Sequence, residues 1–217
     1  QQIYNPPSGS ASAYTVIKGD PAGARPILVP DATKLQHGFY CDKGLPCSYI
    51  EIRNLEITKG YYGAKLSGSS AVGYPHHIRL IGNVIHDTKQ SALFVSTSNT
   101  GFLGGDHLIQ GNEFYNNGIG TPNYSFGLNT IYNPGNRTIV ERNKFHNIPN
   151  GIAIWHKDKL IQNVIIRSNV FYDIGRPSIN PWQKGSTNYG AIGVSVPGGG
   201  HKIYNNIIYR SGDEASF

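Results

Sequence analysis

Residues 107–117 read HLIQGNEFYNN: a short apolar run, an asparagine at 112, one variable residue, a large apolar residue at 114 and an aromatic at 115. The same order returns at 49–59 (YIEIRNLEITK), 77–87 (HIRLIGNVIHD), 137–147 (RTIVERNKFHN), 164–173 (VIIRSNVFYD) and 201–210 (HKIYNNIIYR). The shared asparagines are Asn54, Asn83, Asn112, Asn143, Asn169 and Asn206, at steps of 29, 29, 31, 26 and 37 residues. Internal repetition at such a period decides the architecture before local propensity does, because each repeat is one structural unit that buries its apolar face only against the next copy.

Between the asparagines lies a second apolar segment, at 63–67 (GAKLS), 91–96 (SALFVS), 125–130 (SFGLNT), 151–156 (GIAIWH) and 190–196 (GAIGVSV). Alternation in Leu93/Val95, Ile152/Ile154 and Ile192/Val194/Val196 has the period of a strand with one face buried. No stretch keeps a 3.6-residue apolar period with caps, which disfavours a helical repeat. The pattern predicts an all-β chain: one parallel β-helix spanning 1–217, of about six to seven coils, with residues 1–30 as an irregular first turn. At roughly 4.8 Å per coil this is a rod of about 30 Å. The asparagine suits a turn because it tolerates left-handed backbone and its amide can bond the asparagine one coil away, forming an asparagine ladder.

The 217 residues include 27 Gly and 13 Pro, yet 38% are hydrophobic, so the chain has the material for a core. No apolar run reaches the roughly 20 residues of a membrane-spanning helix, and no membrane partner is expected. Lys and Arg total 19 against 13 Asp and Glu, a formal net charge of +6. That balance favours an acidic polymer through long-range attraction. The basic residues are spread through the repeats without a recognition motif, so nucleic acid is not the expected partner. Methionine is absent and Gln1 stands first, which reads as either a processed product or a fragment; loss of a secretion signal is the simpler reading. Cys41 and Cys47 are close enough to close a short loop, and an oxidised pair suits a secreted protein.

The N-x-(I/F/L)-x repeats from about Pro26 to Arg210 resemble the right-handed parallel β-helix proteins of the pectate lyase-like superfamily. The resemblance implies the right-handed sense. It leaves function open, since polysaccharide lyases, glycoside hydrolases, epimerases, phage tailspikes and surface proteins share this fold. Lyases of this fold use Lys or Arg as base, often with calcium or a second cation on the substrate carboxylate. The arginine-proline signature of pectate lyases, the paired aspartates of polygalacturonases and the tyrosine-histidine signature of alginate epimerases are all missing here.

Aligned on the asparagine, Thr58, His86, Tyr115, His146, Tyr172 and Tyr209 form one outward column. They read either as an aromatic stack or as the acid/base groups that β-elimination needs beside a uronate carboxylate. The second strand should expose Lys65, Phe94, Asn129, Trp155 and Lys157 as a substrate-binding face, with the aromatics on sugar rings and the lysines on acidic groups. A histidine needs less pKa adjustment than a lysine to act as base near neutrality, so the expected roles are His86 or His146 as base, Tyr115 as acid and Lys65 as carboxylate partner. A hydrolase needs two nearby carboxylic acids. Asp87 and Asp173 should stand roughly 14 Å apart and Glu56 and Glu113 roughly 10 Å, so hydrolysis is the weaker enzyme reading. No cofactor is expected, because no cluster of Asp supports calcium. The doublet His76-His77 should point to opposite faces and not share a metal.

Three readings remain: a secreted lyase of an acidic polysaccharide, a non-catalytic glycan-binding or adhesion module, and a structural β-helix segment of a larger assembly. An open β-helix exposes unpaired edges, so its ends are expected to be covered by another subunit or by further chain.

Overall fold

A computed structural model describes residues 1–20, 22–42, 44–95, 104–118, 129–155, 161–175, 190–195 and 198–211. Its strands form three parallel sheets of seven strands, and each strand pairs with its counterparts one coil before and after. The first sheet comprises Ile3–Tyr4, Phe39–Cys41, Ala64–Leu66, Leu93–Val95, Asn129–Tyr132, Asn150–Trp155 and Ile192–Ser195. The second comprises Thr15–Lys18, Ser48–Arg53, His76–Ile81, Leu108–Gln110, Ile139–Glu141, Ile165–Arg167 and Lys202–Tyr204. The third comprises Ile27–Leu28, Glu56–Thr58, Val84–His86, Glu113–Tyr115, Lys144–Ile148, Val170–Ile174 and Ile207–Ser211. This is the parallel β-helix the repeats predict, with seven coils.

Inward residues stack in columns along the axis. Ile57, Ile85, Phe114, Phe145 and Phe171 are in register on the third sheet and each is fully buried. The rings of Phe114 and Phe145 lie 4.9 Å apart, and those of Phe145 and Phe171 lie 4.6 Å apart. Repetition thus puts like shapes beside like, and the core fills without large and small residues having to alternate. At the last coil the inward column opens to solvent: Ile208, which pairs with Phe171, is 50% exposed.

The chain turns its corners through left-handed backbone. The positions between the second and third sheets, Asn54, Gly82, Gly111, Arg142, Ser168 and Asn205, all have φ between 53° and 64°. Asn83, Asn112, Asn143, Asn169 and Asn206 follow these positions by one residue, so the repeated asparagine is not the left-handed residue. Its side chain ties coils together instead. Asn83 Nδ2 donates to Asn112 Oδ1 at 3.1 Å, and Asn112, Asn143 and Asn169 each donate to the next asparagine's Oδ1 at 3.0 Å. Each of these amides also donates to a backbone carbonyl one coil back, as Asn112 does to Leu80 at 2.8 Å. Asn54 stands outside this column. Glu56 pairs with Val84, which puts Leu55 opposite Asn83, and Asn54 instead accepts from Arg25 at 3.4 Å. The 29-residue step from Asn54 to Asn83 mimics the true period and so hides the one-residue slip.

Two further expectations change. The first sheet's strand in the fifth coil is Asn129–Tyr132, and the rest of the predicted segment 125–130 lies outside the described residues. The adjacent rings of His76 and His77 do not diverge: their Nδ1 atoms are 2.9 Å apart, because His77 has φ of 54° and so breaks the strand's alternation. Even so, the described residues hold no group of three or more His, Cys, Asp or Glu placed to bind a metal ion. Cys41 and Cys47 are joined as a disulfide, with Cα atoms 5.8 Å apart.

Candidate functional site

The outer face of the first sheet carries Tyr40, Lys65, Phe94 and Tyr132 in register on four consecutive coils. Each stands between two inward residues or beside one, as Lys65 does between Ala64 and Leu66, so strand alternation alone aims it outward. The Lys65 ammonium lies 5.4 Å from the centre of the Tyr40 ring and 5.7 Å from that of Tyr62. Tyr62 comes from the loop that precedes the strand, and the neighbouring Tyr61 ring is edge-on to it at 5.1 Å. His37 packs edge-on against Tyr40 at 4.7 Å and lies 5.3 Å from Tyr62. It is 4% exposed, and its Nδ1 is buried without a hydrogen-bond partner among the described residues.

The electrostatics of this cluster are one-sided. Burial, reinforced by Lys65, holds the His37 imidazole down at about 4, so the ring is neutral near pH 7 and the positive charge rests on the lysine. Burial pushes the Tyr62 phenol up to about 12. Tyr40 is also raised, by burial first and then by Asp42, whose carboxylate accepts from Tyr4 at 2.7 Å and from Tyr40 at 3.4 Å. Both phenols near Lys65 therefore keep their protons at neutral pH. A cation and protonated phenols on one outward face, backed by a buried neutral imidazole, suit a bound carboxylate and a departing oxygen that needs a proton.

Phe94 is in this column and packs against two other rings. Tyr132 stacks on it at 5.4 Å and 8°, and Tyr62 lies at 5.0 Å and 30°. These contacts take up ring surface that a stacked sugar would need. Asn129, expected outside, is 2% exposed and pairs with Asn150 at the start of its strand. The backbone of Trp155 pairs with Ser195, two residues beyond the Lys65 column; its side chain and all of Lys157 lie outside the described residues.

The predicted His and Tyr column exists, on the third sheet. Thr58, His86, Tyr115, His146, Tyr172 and Tyr209 are in register. The rings from His86 to Tyr209 form one stack with centroids 4.5, 5.1, 4.8 and 5.2 Å apart. Carboxylates line it. His86 Nε2 is 3.1 Å from Glu56 Oε1 and its Nδ1 is 2.8 Å from Asp87 Oδ2, while His146 Nε2 is 3.0 Å from Glu113 Oε1. Burial lowers the His146 pKa against the opposing pull of Glu113. Glu113 is shared with Lys144 at 2.9 Å. Glu56 and Glu113, two coils apart through Val84 as the spacing implied, are thus each tied to a histidine.

The residues of the Lys65 cluster that the repeats did not single out are His37, Tyr40, Tyr62 and Tyr132. Tyr40 is findable from the in-out-in order Phe39-Tyr40-Cys41, one coil ahead of Ala64-Lys65-Leu66.

A family model described as a right handed beta helix region matches residues 37–212. The chain belongs to this right-handed β-helix family. No curated protein matches it. Among solved structures, the crystal structure of an alginate lyase from Paenibacillus sp. str. FPU-7 is similar, with a TM-score of 0.62 at 18% identity. The alignment covers 96% of this chain and 64% of that enzyme, so this β-helix chain spans less than two thirds of its neighbour's length. At that identity the likeness is one of fold.

Proposed function

We propose that this β-helix protein acts outside the cell on an acidic polysaccharide, as a lyase that cleaves it by β-elimination at the outer face of the first sheet. The observation that carries the reading is the Lys65 ammonium held over Tyr40 and Tyr62 beside neutral His37. The net charge of +6 and the disulfide agree with an acidic substrate and an extracellular setting, and the similar solved structure is an alginate lyase.

In this reading Lys65 pairs with the uronate carboxylate, which lowers the cost of placing negative charge on the carbon beside it. Substrate binding has to uncover the buried, unpartnered Nδ1 of His37, which then accepts the proton from that carbon. The electron pair left behind forms the new C=C bond as the adjacent glycosidic C–O bond breaks, and Tyr40 donates its proton to the departing oxygen. No water is consumed, and the product carries one unsaturated uronate end. The experiment is a panel of acidic glycans followed by ultraviolet absorbance of unsaturated ends. Absorbance should grow with one uronate polymer and vanish for Lys65→Ala; growth undiminished in Lys65→Ala rejects the site, and retention of polymer without growth rejects the enzyme in favour of a binding module.

A second seat for the same reaction is the His86/Tyr115/His146 column, favoured by the histidine-carboxylate pairs His86–Glu56 and His146–Glu113. There His86 or His146 is the base and Tyr115 the acid. Loss of turnover in His86→Ala/His146→Ala, with Lys65→Ala still active, selects this seat.

A further inference from the structure

At the corner between the second and third sheets, in the first three coils, a cavity of about 300 Å³ is lined by Lys18, Gly19, Arg53, Asn54, Ile81 and Gly82. Lys18 and Arg53 are directly in register on adjacent parallel strands, so their side chains leave the sheet on the same side. Like charges so placed repel and cost stability unless something between them compensates. The compensation in the fold is partial. Glu51 contacts Arg53 at 3.0 Å and is shared with Arg79 at 3.5 Å, while Lys18 forms no ion pair among the described residues. A third cation, Arg25, reaches the rim, where its Nε donates to Asn54 Oδ1 at 3.4 Å. The nearby Asp20 carboxylate accepts from the Ala22 backbone N–H at 2.9 Å, within its own turn.

The floor is backbone. Gly82 has φ of 62°, and a Cβ built on it would meet nothing within 4 Å, so the corner is open above it. The volume is at the lower end of small-molecule sites, room for one sugar ring and not for a polymer lying lengthwise.

We infer that this corner is an anion subsite that holds the carboxylate of a single uronate unit between Lys18 and Arg53, apart from the first-sheet face. For the class of ligand it rests on the acidic-glycan reading; its location and chemistry stand on the paired cations alone. A carboxylate between the two side chains removes their mutual repulsion and takes charge-assisted hydrogen bonds from both. A chain anchored here by one unit would be held to the protein without occupying the cluster around Lys65.

The test uses the whole protein carrying Lys65→Ala and free D-glucuronate as probe, with D-glucose as the neutral control, read by two-dimensional amide NMR. Glucuronate should shift the Gly19, Asn54 and Gly82 amides saturably, and glucose should not. Adding Lys18→Ala and Arg53→Ala should weaken binding at least about tenfold, the loss of two charge-assisted contacts. Glu51 keeps Arg79 in that variant, and Lys18→Glu, at an exposed position, gives the same reading if Arg53→Ala unfolds. Shifts by glucose equal to those by glucuronate, no shifts at all, or unchanged affinity in the variants overturns the inference. Free glucuronate has no glycosidic bond to cleave, so none of these outcomes depends on where cleavage occurs.

Discussion

Asn112 and Asn143 are joined twice: both the backbone N–H and the side-chain Nδ2 of Asn112 donate to Asn143 Oδ1, at 2.9 and 3.0 Å. Asn143 in turn donates to the Ile109 carbonyl at 2.8 Å and is 2% exposed. Replacing it by Ala would strand two buried donors and one buried carbonyl. Asn143→Ala should lower the unfolding free energy by about 3 kcal/mol in urea denaturation. Asn54→Ala, off the column, should cost about 1 kcal/mol, the strain of a left-handed alanine, and Asn54→Gly still less.

Phe145 sits between Phe114 and Phe171 with both faces stacked. Truncation opens a void that neighbours above and below, fixed by their own strands, are poorly placed to fill. Phe145→Ala should cost about 4 kcal/mol, measured by thermal and chemical unfolding, and Phe145→Leu much less.

Acid should weaken the fold through two buried histidines. His37 is held at about 4 and His107 at about 3, in both cases by burial first, against about 6.5 when unfolded. The unfolded chain therefore takes up these protons before the folded one does. Stability is complete above about pH 6.5 and falls as pH drops towards 4, by about 1.4 kcal/mol per pH unit for each histidine. His107 accepts from the Ile78 N–H through Nδ1 at 3.1 Å. Denaturation midpoints measured from pH 7 to 4.5 should fall steadily, and His107→Asn should flatten the slope while lowering stability at pH 7.

The Cys41–Cys47 bond closes a short loop that leaves the end of the strand Phe39–Cys41. Its removal as Cys41→Ala/Cys47→Ala should cost about 2 kcal/mol by the loop-entropy estimate, plus the loss of buried sulfur from the core. Reduced wild-type protein compared with oxidised protein in the same denaturation assay isolates the first part.

The architecture was legible because a solenoid writes its period into the sequence: Phe114, Phe145 and Phe171 recur in like positions, and their registers follow. What escaped was decided by single-residue geometry. Asn54 looked like a member of the asparagine column because Leu55, which occupies that place, carries no amide to betray the slip. Strand alternation would part the rings of His76 and His77, and His77 abandons it at φ of 54°. At the candidate site, Lys65 and Phe94 were visible as outward residues between apolar neighbours. Tyr62 and His37 come from loops whose length varies between coils, and repeat alignment carries no information about where such residues fold back.

Each strand pairs only with its counterparts one coil away, and this makes the molecule behave as a one-dimensional lattice. Among the described residues no pairing spans the chain from end to end. Its resistance to unfolding should therefore be a profile along the axis, highest around the phenylalanine column and falling towards the outermost turns, where amide exchange would be fastest. A lesion in one turn is felt by the two beside it and fades beyond them, so the repeat that gives the rod its regularity also confines damage to where it occurs.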